Sequence, residues 1–325
     1  MGSKTIFSIN SAAEFDGFAQ DTFRQQYKTI PVYREFCDLL GKSPQTVQEI
    51  HEIPFLPISF FKSHRVCDPN LKDEIVFSSS GTTGMELSKH YVGNLEIYQK
   101  SFTTAFERFY GQISNYCILA LLPSYQERPG SSLIYMVDHL IRNSKDPNSR
   151  FLTGDSKANA LHIYECDRGS RPVLLIGVSF ALLDLGQAHP LALRNTVVME
   201  TGGMKGRRQE LVREALHLEL KQGFGVSEIH SEYGMTELLS QGYSWGSGFF
   251  KVPPWMRILI RDTEDPLSYV GFGKTGGLNI IDLANQHSCA FIATQDLGKM
   301  HKDETFEVLG RFDHSDIRGC NLLAL

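Results

Sequence analysis

Continuous apolar runs constrain what this chain can fold into more than any other feature: Tyr116–Leu122, Pro172–Gly177 and Thr196–Met199. A strand with one face in water alternates apolar with polar residues, so unbroken runs of this length predict strands covered on both faces. Around them lie amphipathic stretches at Leu95–Tyr110, Ser131–Arg142, Lys157–Tyr164 and Arg207–Lys221. In the last of these, Leu211, Val212, Ala215, Leu216 and Leu220 share one helical face. Strand and helix in alternation predict an α/β architecture of layered sheets.

The flanks read differently. Ala12–Tyr27 and Val32–Leu40 have helical spacing, and the Pro-punctuated stretch Pro54–Lys62 is apolar enough to pack against the body of the fold. Beyond Gly242, Trp255–Arg261, Gly277–Asp282, Ala290–Thr294 and Thr305–Leu309 read as short strands between turn residues. The expected organisation is 1–245 as helical N-terminus and α/β subdomains, and 246–325 as a small β-rich subdomain.

Composition excludes several classes. The 325 residues are 42% hydrophobic and 21% charged, with net charge −5 and no long basic run, which argues against nucleic acid as a partner. No stretch approaches the roughly 20 apolar residues of a membrane-spanning helix, and the N-terminus lacks the apolar run of a signal peptide. Cysteines at 37, 67, 117, 166, 289 and 320 form no CxxC pair, so a metal cluster or disulfide framework is not expected and a reduced, cytoplasmic setting is.

Several segments carry chemistry. Ser78-Ser79-Ser80-Gly81-Thr82-Thr83-Gly84 follows the strand-like Glu74–Phe77. It offers hydroxyls beside glycines whose backbone N–H groups can converge on an anion. The Gly-Lys-Ser/Thr ending of a P-loop is missing, and a flexible linker is the alternative. Glu232-Tyr233-Gly234-Met235-Thr236-Glu237 combines an aromatic face, a hydroxyl and a carboxylate able to hold Mg²⁺ against phosphates, or is a turn into a helix. Gly310-Arg311-Phe312-Asp313 supplies an arginine for ribose or phosphate, or is a surface turn with a salt bridge.

In this order the segments resemble the phosphate loop, the Tyr-Gly-x-Thr-Glu motif and the Gly-Arg-x-Asp hinge of the adenylate-forming acyl-CoA synthetase and luciferase superfamily. Pro54–Lys62, Leu122–Ser132 and Ile317–Cys320 are similar to its acyl-protein synthetase branch, which serves the fatty acid reductase complex of bacterial luminescence. The resemblance covers about residues 50 to 320. It implies an ATP-dependent ligase that converts a fatty or other carboxylic acid to an acyl-adenylate, then passes the acyl group to a thiol, on itself or on an acyl-accepting reductase or carrier protein. Ser79, Ser80, Gly81, Thr82, Thr83 and Gly84 would cradle the ATP phosphates, Gly202 and Gly203 would lie along the adenine and Tyr233 on the base. Thr236 would touch the α-phosphate, Glu237 would bind Mg²⁺, Asp296 would bond the ribose hydroxyls, and Arg311 would contact ribose or phosphate. Cys320 is the candidate acyl acceptor, with an ordinary small residue as the other reading.

Asp155, in Thr153-Gly154-Asp155, duplicates the ribose motif out of order and is expected to cap a helix instead. Tyr243, Trp245, Phe249, Phe250 and Trp255 are candidates for either core or acyl pocket. Family members continue past the hinge into a lid bearing a lysine that promotes adenylation. This sequence stops at Leu325, so the lid is expected to be absent, and a weakly active subunit completed by a partner is the alternative to an active ligase. Lys62, Lys89 and Lys205 are expected to be solvated.

Overall fold

A computed structural model describes residues 5–79, 86–122, 130–202 and 212–312. Helices α1 (Ala12–Thr29) and α2 (Pro31–Leu39) open the chain, followed by strand β1 (Leu56–Pro57) and helix α3 (Phe60–Ser63). Strands β2 (Ile75–Ser78) and β3 (Lys89–Val92) pair antiparallel. Next come α4 (Leu95–Tyr110), β4 (Cys117–Leu121), α5 (Ser132–Ser144), β5 (Arg150–Phe151), α6 (Ser156–Asp167) and β6 (Val173–Val178). They are followed by α7 (Ser179–Ala188), β7 (Thr196–Thr201), α8 (Arg213–Phe224), β8 (His230–Tyr233) and β9 (Gly242–Ser244). Strands β10 (Met256–Arg261), β11 (Thr275–Asp282), β12 (Phe291–Met300) and β13 (Phe306–Arg311) close the described chain.

The three apolar runs become β4, β6 and β7, central strands of a sheet ordered β5-β4-β6-β7-β8-β9, parallel up to β8 and antiparallel at β9. Every residue of β4 and β6 is buried, as strands covered on both faces require. Caps start the helices where side-chain oxygens can take orphan N–H groups. Asn94 accepts from Glu96 N and Ile97 N ahead of α4, Ser131 accepts from Ile134 N ahead of α5, and Asp155 accepts from Ala158 N at 2.7 Å ahead of α6. Asp155 is the helix cap its sequence position suggested.

The second sheet runs β1-β12-β11-β10, with β13 also on β12. Its strand β1 comes from the Pro54–Lys62 segment and pairs in parallel with Ile292–Ala293, so this sheet draws on both ends of the chain rather than on 246–325 alone. Helix α1 packs on it as well. The buried Gln26 amide donates to the Asn285 carbonyl at 2.6 Å and accepts from Ala290 N at 2.9 Å, while Phe23 meets Phe291 edge to face.

Two expectations are corrected. Val212 is 70% exposed at the N-cap of α8, whose buried side is Leu216, His217, Leu220, Gly223 and Phe224. Leu211 lies outside the described residues. Helix α7 had no counterpart in the sequence reading: its Phe180–Leu185 stretch is apolar nearly all round, and a helix buried on most sides shows no helical periodicity. No described helix is long and apolar enough to cross a membrane.

Candidate active site

In open α/β sheets the crevice for ligands lies outside the carboxyl ends of the parallel strands. Here β6, β7 and β8 end at Val178, Thr201 and Tyr233. Tyr233 donates its hydroxyl to Asp296 Oδ2 at 2.8 Å, and Arg311 Nε donates to Asp296 Oδ1 at 3.1 Å. Asp296 and Arg311 are direct neighbours across β12 and β13. One carboxylate, 6% exposed, thus holds two partners, and the three residues come from three separate motifs. The Tyr233 ring is gripped edge to face by Phe250 and Phe306, with centroids 6.0 and 5.7 Å away. Burial, then the Asp296 charge, pushes its phenol pKa well up, so it remains a neutral donor.

The end of the Tyr-Gly-Met-Thr-Glu segment is fastened through its backbone. The Thr236 carbonyl accepts from His90 Nδ1 at 2.8 Å, and the Glu237 carbonyl accepts from Asn285 Nδ2 at 2.8 Å. Asp282, at the end of β11, then takes Leu239 N and Ser240 N at 2.7 and 3.0 Å and the Ser240 hydroxyl at 2.6 Å. Thr236 is half-buried, and the Glu237 side chain is 5% exposed.

Buried carboxylates line the ends of β7 and β8. Ser179 Oγ lies 2.9 Å from Glu200 Oε2 and 2.8 Å from the Gly202 carbonyl, so its single hydrogen serves one of them at a time. Burial raises the Glu200 pKa, but hydrogen bonding to His217 and the nearby Arg213 charge outweigh it and hold the group low. Glu232 accepts from the Thr201 hydroxyl, and burial pushes its pKa up to about 7. Gly202 sits at the mouth of β7 in a left-handed conformation, φ +65°.

Ser79 and Ser88 close the base of the phosphate-loop hairpin: Ser79 N donates to the Ser88 carbonyl and Ser79 Oγ accepts from Ser88 N, both at 3.0 Å. Ser80, Gly81, Thr82, Thr83, Gly84, Gly203 and Cys320, together with Lys205, lie outside the described residues. Lys62 and Lys89 are exposed. Tyr243, Phe250 and Trp255 are core, the Trp255 indole donating to Ser101 and Ser240, whereas Trp245 and Phe249 are exposed.

Sequence reasoning missed His90, Asp282 and Asn285. A faint signal existed for His90, because alternation along β3 puts it on the same buried face as Val92.

A family model described as acyl-protein synthetase, LuxE, matches residues 10–106 and 173–324. The chain belongs to the acyl-protein synthetase family. No curated protein matches its sequence. Among solved structures it is similar to ATP-bound MatB from Rhodopseudomonas palustris, with TM-score 0.56 and 16% identity over 75% of this chain and 49% of MatB. It is also similar to 2-hydroxyisobutyryl-CoA ligase in its postadenylation state, with TM-score 0.69 and 13% identity over 96% of this chain and 72% of the ligase. Identities this low show a shared fold, and this acyl-protein synthetase family chain spans about half the length of MatB.

Among the described residues no three His, Cys, Asp or Glu side chains gather as a metal cage. Glu237, one of several buried carboxylates here, is of the donor type taken by an ion that uses one or two carboxylates and completes its shell with substrate phosphates and water, as Mg²⁺ does.

Proposed function

We propose that this chain binds ATP and a carboxylic acid, forms an acyl-adenylate, and passes the acyl group to a thiol. The observation that carries the reading is the convergence of Tyr233 and Arg311 on the Asp296 carboxylate. A carboxylate has about four lone-pair sites. Tyr233 and Arg311 occupy two of those on Asp296 and fix its plane, leaving the others for the two hydroxyls of a ribose. The ATP-bound and postadenylation states of the two structural neighbours fit the same reading.

In the first step an oxygen of the substrate carboxylate attacks the α-phosphorus, and the bond to the β-phosphate oxygen breaks, releasing pyrophosphate. The developing charge calls for preplaced donors. Gly81 to Gly84, with Ser79 and Ser80, would supply them to the phosphates, and Thr236 would supply one to the α-phosphate. Gly202 and Gly203 would flank the adenine with Tyr233. Mg²⁺ held by Glu237 would screen the repulsion between substrate carboxylate and triphosphate. In the second step a thiolate attacks the acyl carbon and AMP leaves. Cys320 is the proposed internal acceptor, and a reductase or carrier protein the external one. A fatty acid is the proposed substrate. The free thiols at Cys37, Cys67, Cys117, Cys166 and Cys289 suit a reducing, cytoplasmic setting.

Acid-dependent ATP–pyrophosphate exchange on the purified protein tests the reading across short to long acids. Exchange is expected with a long-chain acid and should fall at least about 100-fold in Glu237→Ala, the usual scale for losing a preplaced charge. ATP binding without exchange for any acid would instead favour a subunit that needs a partner. Intact mass after incubation with acid and ATP should show one acyl adduct, lost in Cys320→Ser.

A further inference from the structure

The β2–β3 hairpin and the Thr236–Glu237 turn are about 150 residues apart in sequence, yet one buried side chain joins them. His90 lies on β3, directly across the hairpin from Phe77 and next to the Lys89–Ser78 pair at the root of the loop. Its ring is fully buried, edge-on to Phe61 at 5.8 Å. Because a carbonyl only accepts, the 2.8 Å contact with the Thr236 carbonyl requires Nδ1 to carry the hydrogen. Nε2 is then a lone pair, and among the described residues it has no partner.

Asn285 completes the arrangement. Its amide nitrogen is committed to the Glu237 carbonyl, its oxygen is also buried without a partner, and its side chain sits against the imidazole. His90 Nε2 and the Asn285 oxygen are thus two buried acceptors without a partner among the described residues, which costs more stability than apolar atoms of the same shape would. Burial holds the His90 pKa down at about 4, so the ring stays a fixed neutral donor throughout the neutral range.

We infer that His90 and Asn285 are a positioning pair, holding the Thr236 and Glu237 backbone in register with the phosphate-loop hairpin so that Glu237 meets a metal bound to the phosphates. The inference rests on the proposed assignment of Glu237 to Mg²⁺, but it concerns placement, and nucleotide binding reads it without any turnover.

The experiment is a titration of ATP into the wild type, His90→Leu, His90→Asn and Asn285→Ala, with and without Mg²⁺, with thermal melts alongside. Residues that orient a metal ligand typically change metal affinity by about 10–100-fold. His90→Leu should therefore weaken MgATP at least about tenfold while leaving metal-free ATP within about twofold. His90→Asn, whose amide nitrogen falls near the Nδ1 position, should recover most of that loss. Asn285→Ala should show the same metal-specific loss, and it carries the decision if His90→Leu does not fold.

Equal losses with and without metal would mean a purely structural role and would overturn the inference. So would unchanged affinity in folded variants, or a wild type indifferent to Mg²⁺. Failure of the adenylation reading shows separately, as absence of pyrophosphate exchange in a wild type that still binds MgATP.

Discussion

Asp296 is worth following at the scale of single residues, because its two oxygens are shared between a tyrosine hydroxyl and an arginine. Tyr233→Phe removes one donor and should weaken ATP binding by about tenfold or less, the scale of one net hydrogen bond. Asp296→Ala leaves the Tyr233 hydroxyl buried without its acceptor and should both weaken ATP binding and lower the melting temperature. Glu232 gives a pH signature. Its folded pKa is raised to about 7 by burial, above the ordinary glutamate value, so the folded state holds the proton more tightly. Its contribution to stability is full below about pH 4.3 and is lost as pH rises through about 7. Glu232→Gln, neutral at every pH, should flatten the stability profile across that window and melt higher than wild type at pH 8 by scanning calorimetry. The motif letters made Tyr233, Asp296 and Arg311, which the structure brings together, legible as candidates in the sequence. The raised pKa of Glu232 and the placement of His90 were not, since both arise from burial by segments distant in sequence.

Among the elements, the α7–α8 pair shows why some helices could be read and others not. α1 and α4 keep a wet face, and their apolar residues recur at helical spacing. α7 packs between sheet and α8 and loses that pattern. The two helices approach so closely that a Cβ on Gly223 would stand 2.9 Å from the Gly186 Cα. Gly223→Ala should therefore push the helices apart and cost about 1–3 kcal/mol, measured by chemical denaturation. Gly17→Ala in α1, where added atoms meet open space, should be neutral or stabilising by up to about 1 kcal/mol. Strand β12 runs to Met300 rather than ending near Thr294, and the extension carries Asp296 to β13. Gln295, Asp296 and Lys299 hid it, because the buried position Asp296 carries a carboxylate bonded to Tyr233 and Arg311 instead of an apolar side chain.

The whole molecule is held together across the length of its chain. Gln26 satisfies the backbone of Asn285 and Ala290, so Gln26→Ala leaves buried polar groups unpaired and should cost about 1–3 kcal/mol, seen as a lower melting temperature. The alternation of strand and helix announced the layered α/β body. It could not announce that Leu56–Pro57 belongs with Ile292–Ala293, because pairing across so many residues leaves no local periodicity. That pairing also sets a timetable for biosynthesis. At about 5–20 residues per second, the ribosome needs roughly ten to fifty seconds to move from Leu56 to Ile292. Through that interval Phe55 has left the exit tunnel without Phe291, the β12 ring it meets edge to face, and Leu56 without its partner strand, and a nascent chain in that state is a natural client for a chaperone that binds apolar segments.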